Sequence, residues 1–364
     1  VNEHANAGRL TGQVRIVGTG LLGASIGLRL TSLGIDVILD DVSPSSVGLA
    51  VDLGAGRVAQ SDDAPVLIVV AVPPDVTADV IQAELARFPE AVVTDVASVK
   101  LTPLRQLQDR GVSLVNYIGS HPLAGRERGG AISAVGDLFM GRPWVVCRDE
   151  ETPAWALAVV EDLALDLGAV PIEMSPEDHD AAVGLVSHVP QIVSSLMAKQ
   201  LAAASDDAVR LAGQGVRDVT RIAASSPELW IQILSANREA VVGILENFSR
   251  DLEAMTTALR DMDAPGARRV LAEELAGGNA GVSRLPGKHG ERRRFASITV
   301  LVDDKPGQLA KLLTEVGELN INLEDMRLDH AEGAQLGMVE FSVLPDVAEG
   351  LMADLELRGW RVHR

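Results

Sequence analysis

Seven histidines are spread through 364 residues, and one of them, His121, stands directly before a proline in "SHPLAGRERGG" (120–130), a glycine-rich, charged loop. With an ordinary pKa of about 6.5, a histidine there can take a proton from a substrate hydroxyl at neutral pH. A turn histidine bonded to backbone is the plainer reading. Ser98, in "DVASVK", has a hydroxyl that can bond one imidazole nitrogen and fix its tautomer, cap the helix that follows, or do both. Near the start, "VRIVGTGLLGASIG" holds Gly18-x-Gly20-x-x-Gly23 between a strand pattern and an apolar helix pattern. In that setting the glycines allow a tight turn, and a pyrophosphate can approach the helix N-terminus. Gly18, Gly20, Leu21, Leu22 and Gly23 are the candidate contacts, with Val72 and Pro73 after a later strand. The second strand ends in Asp40-Asp41; Asp41 is preferred as the acid that bonds a ribose diol and repels a 2′-phosphate, with Asp40 as competitor. That points to NAD.

The middle of the chain adds further candidates. His179 and His188 are nine apart, which on a regular helix places them on opposite sides, so no metal pair is expected and no metal is assigned. "VRDVTRIAASSPELW" sets Asp218 and Arg221 on one helical face, with Trp230 beyond. Arginine suits a carboxylate through two parallel bonds. A surface Asp–Arg pair is the plainer alternative.

These residues need a scaffold. Over 13–175, Val/Ile-rich runs (13–17, 36–40, 66–72, 91–96, 113–118, then 143–147 and 168–174) alternate with amphipathic stretches, the mark of a Rossmann-type parallel α/β sheet. Ligands bind such sheets beyond the carboxyl ends of the strands, where Ser98 and His121 fall. From Ser175 to Ala276, apolar residues recur every three or four positions, predicting an all-helical domain. Ser175 is the expected N-cap of its first helix. Residues 277–294 read as a Gly-rich, basic linker, and 295–364 as βαββαβ, a small ferredoxin-like domain. The expected domains are therefore 1–174, 175–276 and 295–364.

Composition narrows the function classes. A formal charge of −19 argues against nucleic acid or an anionic membrane as partner. The single cysteine, Cys147, excludes an internal disulfide framework. Neither a membrane-length apolar run nor a signal-peptide pattern is evident in the sequence, so a cytoplasmic protein is expected.

Taken in order, "VGTGLLGASIG", "DVASVK", "SHPLAGRERGG", "HDAAVGLVSHVP" and "DVTRIAASSPELW" resemble the prephenate/arogenate dehydrogenase family of tyrosine biosynthesis. The tail "VLVDDKPGQLAKLLTEVGELNINLEDMRLDH" resembles an ACT domain, a module that binds amino acids. The resemblance implies an NAD-dependent oxidative decarboxylation of prephenate to 4-hydroxyphenylpyruvate. It makes His121 the base for the ring hydroxyl and Ser98 its partner. Arg221 becomes the carboxylate grip, with Asp218, Glu127, His188 and Trp230 lining the pocket. Two positions depart from the family pattern. Gln191 stands where many relatives place the second histidine of "SHxPH", which opens the choice between prephenate and arogenate. Arg126 stands where a small polar residue is commoner, and solvent exposure is expected for it.

By the same resemblance the tail implies a regulator, with tyrosine or another aromatic amino acid as effector. Pro306 and Gly307 would form the turn at a helix N-terminus, with Asn320 and Asn322 near the adjoining strand. A homodimer or larger homo-oligomer is expected. Two rivals remain. A β-hydroxyacid dehydrogenase would use a lysine, but Lys199 lies far along its helix and the histidine loop would be unexplained. An NAD-sensing regulator with a dead site should have lost Ser98, His121 or Arg221, and all three are present.

Overall fold

The first strand explains the rest of its sheet. In β1 (Gln13–Val17), Val14 and Ile16 point into one buried core, and Arg15 on the other face is buried with Glu84 and Asp40 as ionic partners. The order that follows is α1 (Leu21–Ser32), β2 (Val37–Asp40), α2 (Pro44–Asp52), β3 (Arg57–Val58), β4 (Pro65–Val70), α3 (Thr77–Arg87), β5 (Val92–Asp95) and α4 (Leu101–Asp109). After these come β6 (Tyr117–Pro122), β7 (Pro143–Cys147), α5 (Ala154–Asp166) and β8 (Val170–Met174). The protein is seen in a computed structural model that describes residues 8–125, 129–148, 152–285, 295–330 and 336–363. The chain divides into two units, Val1–Ser249 and Arg250–Arg364.

In the first unit the eight strands lie in the order β3-β2-β1-β4-β5-β6-β7-β8. Along β4, Leu67 and Val69 enter one core while Ile68 and Val70 enter the other, so helices must cover both faces. The sheet is parallel from β3 through β6, but β7 runs antiparallel to β6 and parallel to β8. The order reverses between β1 and β4, which opens the crevice where such sheets take ligands.

One strand differs from the sequence reading, and the site depends on it. Residues 113–118 were expected to be strand with His121 on the loop beyond; instead β6 begins at Tyr117 and carries His121 inside it. The reason is local: Tyr117 N–H closes a turn on Leu114 O (3.0 Å), and Asn116 Nδ2 donates to Pro89 O (2.6 Å).

Beyond β8 the unit is helical: α6 (Pro176–Val183), a π-turn (Gly184–His188), α7 (Val189–Ala202), α8 (Asp206–Arg210), α9 (Gln214–Thr220), a 3₁₀ turn (Arg221–Ala223), α10 (Pro227–Ala236) and α11 (Arg238–Arg260). Ser175 caps α6 as expected, accepting from Asp178 N–H (3.0 Å). Contrary to the reading above, the continuous run Pro176–Ala202 is long and apolar enough, by length and composition, to cross a membrane. Its buried face carries His179, Asp180, His188 and Gln191, and Asp180 accepts from the backbone at the start of α4.

The second unit contains α12 (Ala267–Val282), then β9 (Ala296–Asp303), α13 (Gln308–Glu318), β10 (Asp325–His330), β11 (Leu336–Val343), α14 (Pro345–Leu357) and β12 (Arg361–His363). The expected linker is helical through Val282; an Ala-rich helix carries Gly277 and Gly278 at about 1 kcal/mol each. The antiparallel sheet β10-β11-β9-β12 packs Val300, Val302, Val339, Phe341 and Val343 with Leu312, Leu351 and Leu355. This is the βαββαβ ferredoxin-like arrangement. Asn320 turns the chain with φ +55°, and β10 begins at Asp325.

Candidate active site

The glycine turn lies at the reversal point. Gly18 has φ +99°, and a Cβ on it would lie 2.4 Å from Ala71 O; one on Gly23 would lie 1.9 Å from Gly18 O. These two glycines make the turn close-packed. Gly20 differs, since a Cβ there would meet nothing within 4 Å. It is the N-cap of α1, and no side chain caps that end, so the first N–H groups, at Leu21, Leu22 and Gly23, remain open to an anion. Val72 packs beside Gly18, and Pro73 O accepts from Thr77 Oγ1 (2.9 Å) as α3 begins. The residues fit a dinucleotide pyrophosphate.

The two acids at the end of β2 part company. Asp40 is paired with buried Arg15, which also bonds Glu84 (2.8 Å). Asp41 reaches the glycine turn: its Oδ2 accepts from Thr19 N–H (2.7 Å) and Thr19 Oγ1 (3.0 Å), and its Oδ1 from Ser43 N–H (2.9 Å).

On the same edge of the sheet, His121 is 8% exposed. Its Nδ1 lies 2.9 Å from Nε2 of His179, whose Nδ1 is 2.7 Å from Asp180 Oδ1. The expected Ser98–His121 bond is not formed. Ser98 is half-buried between β5 and α4, makes no side-chain hydrogen bond among the described residues and does not cap α4. Burial pushes the His121 pKa well below its ordinary value, and the charges of His179, Lys100 and His188 push the same way.

Below His121 lies an ionic staple that sequence reasoning missed. Lys100, 1% exposed, is paired with fully buried Asp95 and donates to Ser120 O (2.6 Å). Tyr117 Oη donates to the other Asp95 oxygen (2.7 Å), and Thr94 Oγ1 to Ser120 Oγ (2.9 Å). Together these groups tie the ends of β5 and β6 in one register.

The helices supply the remaining candidates. A π-turn ends at His188, and both histidines are buried, His179 against His121 of β6 and His188 against Asn237 and Trp230 of the helices. His188 Nδ1 lies 3.0 Å from Asn237 Nδ2, which also donates to Asp180 O (2.8 Å). Trp230 meets the His188 ring edge-on at 6.0 Å. Burial lowers the His188 pKa to about 4. Gln191 is buried, with Nε2 3.4 Å from Ser195 Oγ.

Arg221 and Asp218 do not pair. Arg221 opens the 3₁₀ turn, exposed and with no ion pair among the described residues, while Asp218 accepts from Gln214 (2.8 Å). Glu127 and Arg126 lie outside the described residues. In the second unit, Pro306 and Gly307 (φ +86°) are exposed at the N-terminus of α13, and Asn322 Nδ2 donates to Glu324 Oε1 (3.1 Å). No group of three His, Cys, Asp or Glu side chains suited to a metal occurs among the described residues.

A glycine turn aimed at a dinucleotide, with a buried imidazole farther along the same sheet edge, defines the chain as a Rossmann-type dehydrogenase. The comparisons narrow the class. Residues 26–173 match the family described as prephenate dehydrogenase, nucleotide-binding domain, and 175–273 match prephenate dehydrogenase, dimerization domain. The chain is 36% identical over 353 residues to "Probable prephenate dehydrogenase NovF" of Streptomyces niveus, covering 95% of this chain and 98% of that one. The prephenate dehydrogenase of A. aeolicus, solved in complex with hydroxyphenyl propionate and NAD+, matches with a TM-score of 0.65 and 27% identity over 75% of this chain and 99% of its own. Synechocystis arogenate dehydrogenase matches with a TM-score of 0.60 and 28% identity, over 74% and 99%. The chain belongs to the prephenate dehydrogenase family, and its helical segment is the family's dimerisation domain.

Proposed function

We propose that the protein is an NAD-dependent prephenate dehydrogenase that oxidatively decarboxylates prephenate to 4-hydroxyphenylpyruvate. The observation that carries this reading is His121, buried at the carboxyl edge of the sheet that bears the glycine turn, in a chain 36% identical to a prephenate dehydrogenase relative along almost its full length. NAD, held at Gly18, Gly20, Leu21, Leu22, Gly23, Asp41, Val72 and Pro73, supplies the acceptor for the hydride that leaves the hydroxyl-bearing ring carbon.

The chain's own residues do the rest. His121, neutral because it is buried, accepts the ring hydroxyl's proton as the hydride departs. Loss of the ring carboxyl as carbon dioxide leaves its electron pair in the ring, which becomes aromatic; the phenolate oxygen then takes a proton back. Aromatisation supplies the driving force, so positioning and proton transfer are what the protein must provide. Arg221, with no ion pair among the described residues, is available for a substrate carboxylate. Asp218, Glu127, His188, Gln191 and Trp230 are assigned to the pocket around it, and Ser98 to the substrate hydroxyl.

Gln191 favours a second reading, arogenate dehydrogenase, because a buried neutral amide puts no positive charge toward the side chain where the two substrates differ. The tail is assigned as an ACT domain binding tyrosine through Pro306, Gly307, Asn320 and Asn322, in a homodimeric, cytoplasmic enzyme. NADH formation with purified protein, comparing prephenate and arogenate, tests the assignment: turnover of prephenate supports it, turnover of arogenate alone moves it to the second reading, and turnover of neither rejects both.

A further inference from the structure

Two side chains run in a line behind the proposed base. His121 Nδ1 and His179 Nε2 are 2.9 Å apart, with ring planes at 74°. His179 Nδ1 and Asp180 Oδ1 are 2.7 Å apart. Neighbouring residues on a helix diverge by about 100° and do not ordinarily face each other. Here Asp180 is pinned from outside its helix, because Oδ1 accepts Lys100 N–H (2.8 Å) and Oδ2 accepts Leu101 N–H (3.0 Å) at the start of α4. A carboxylate is favoured at that end of a helix. Burial pushes the Asp180 carboxyl up, but the bonds from His179, Lys100 and Leu101 outweigh it and hold it below the usual carboxylate range.

With Asp180 ionised, the proton arrangement in the neutral rings has one solution. The carboxylate can only accept, so His179 donates from Nδ1. The neutral His179 ring then presents a lone pair at Nε2, which can only accept, so His121 donates from Nδ1. The lone pair of His121 is left at Nε2.

We infer that His179, oriented by Asp180, is a positioning residue that holds His121 in the tautomer whose Nε2 receives the substrate proton. The inference rests on the reading of His121 as the base. The charged groups acting on His121 are His179 from α6, Lys100 at the start of α4 and His188 from the π-turn, while Asp180 and Asp95 act on His179 behind it. Lys100 and His188 oppose charge on His121, and ionised Asp180, bonded through His179, is the carboxylate in line to offset the imidazolium formed during proton transfer. The arrangement orients the ring and accommodates its transient charge, the two tasks an acid performs behind a catalytic histidine.

The test uses the full-length protein labelled with ¹⁵N-histidine, together with His179→Leu and His179→Gln. In the unsubstituted protein the His121 ring should show a protonated Nδ1 and an unprotonated Nε2. His179→Leu should lower kcat about ten- to a hundred-fold, leave KM for NAD unchanged and move His121 toward the Nε2-protonated tautomer. His179→Gln, whose Oε1 can accept from Nδ1–H, should restore the tautomer and most of kcat. If His179→Leu does not fold, the spectrum of the unsubstituted protein and the kcat of His179→Gln decide. An unsubstituted His121 protonated at Nε2, or a folded His179→Leu with unchanged kcat, overturns the inference. A tautomer that responds as expected in a protein that turns over neither prephenate nor arogenate upholds the positioning and rejects the proposed function.

Discussion

Asp41 holds Thr19 by two bonds to one carboxylate oxygen, one from the backbone N–H and one from the hydroxyl, while its neighbour Asp40 is taken up by Arg15. The acid proposed to meet a ribose is therefore also a strut of the glycine turn. Asp41→Ser should weaken NAD and NADP binding alike through the loosened turn, and separately remove the repulsion of a 2′-phosphate. The ratio of kcat/KM for NAD to that for NADP should fall by about tenfold, or 1.4 kcal/mol. An unchanged ratio, with both values lowered, would leave Asp41 as a strut only.

The buried histidines set the pH response. Burial is the first cause of the lowered pKa at His121, His179 and His188, the last to about 4, against about 6.5 in the unfolded chain. Between those values the unfolded chain binds more protons than the folded one, so stability rises with pH in that window and is lost as pH falls through it. Melting temperature should be flat above pH 7 and drop steadily from about pH 6.5 to 4. His188→Asn should make that drop shallower. Activity should follow the same direction, with kcat/KM level from pH 7 to 8 and no inflection at 6.5. A base that titrated at 6.5 would mean that His121 is solvated in the working enzyme.

The parts of this site that were legible in the sequence have local signals. Gly18, Gly20 and Gly23 show themselves through spacing between two recognisable elements, and Ser175 through the proline and acids after it. The His121–His179 contact spans 58 residues and joins a strand to a helix, which no hydrophobic period announces. Lys100 was hidden in plain view in "DVASVK": a lysine after a buried strand reads as solvent-facing, and only the partner set of Asp95, Tyr117 and Ser120 shows otherwise. Asp218 and Arg221 share a face on a regular helix, but the helix tightens at Arg221 and the pair never forms.

That hidden lysine gives a stability prediction. Lys100→Met removes one partner of a fully buried pair and leaves Asp95, among the described residues, with Tyr117 and the Ala97 N–H. Breaking such a pair costs about 3–5 kcal/mol. Urea unfolding should show a loss in that range at pH 7. Asp95→Asn combined with Lys100→Met should recover part of it, since no buried charge then lacks its counterpart. A loss below about 1 kcal/mol for the single substitution would mean that water reaches the site.

Arg221 offers the sharpest separation of binding from chemistry. It is exposed, with no ion pair among the described residues, so its removal should cost little stability. As the assigned grip on a substrate carboxylate, it provides a bond geometry that lysine reproduces poorly, because only the guanidinium presents two parallel donors. Arg221→Ala should raise KM for prephenate by about a hundredfold, equivalent to about 2.7 kcal/mol, and leave KM for NAD unchanged. Arg221→Lys should recover less than half of that free energy. Steady-state kinetics with each substrate varied in turn would measure both effects, and an equal rise in KM for prephenate and NAD would show that Arg221 shapes the cleft rather than holding the substrate.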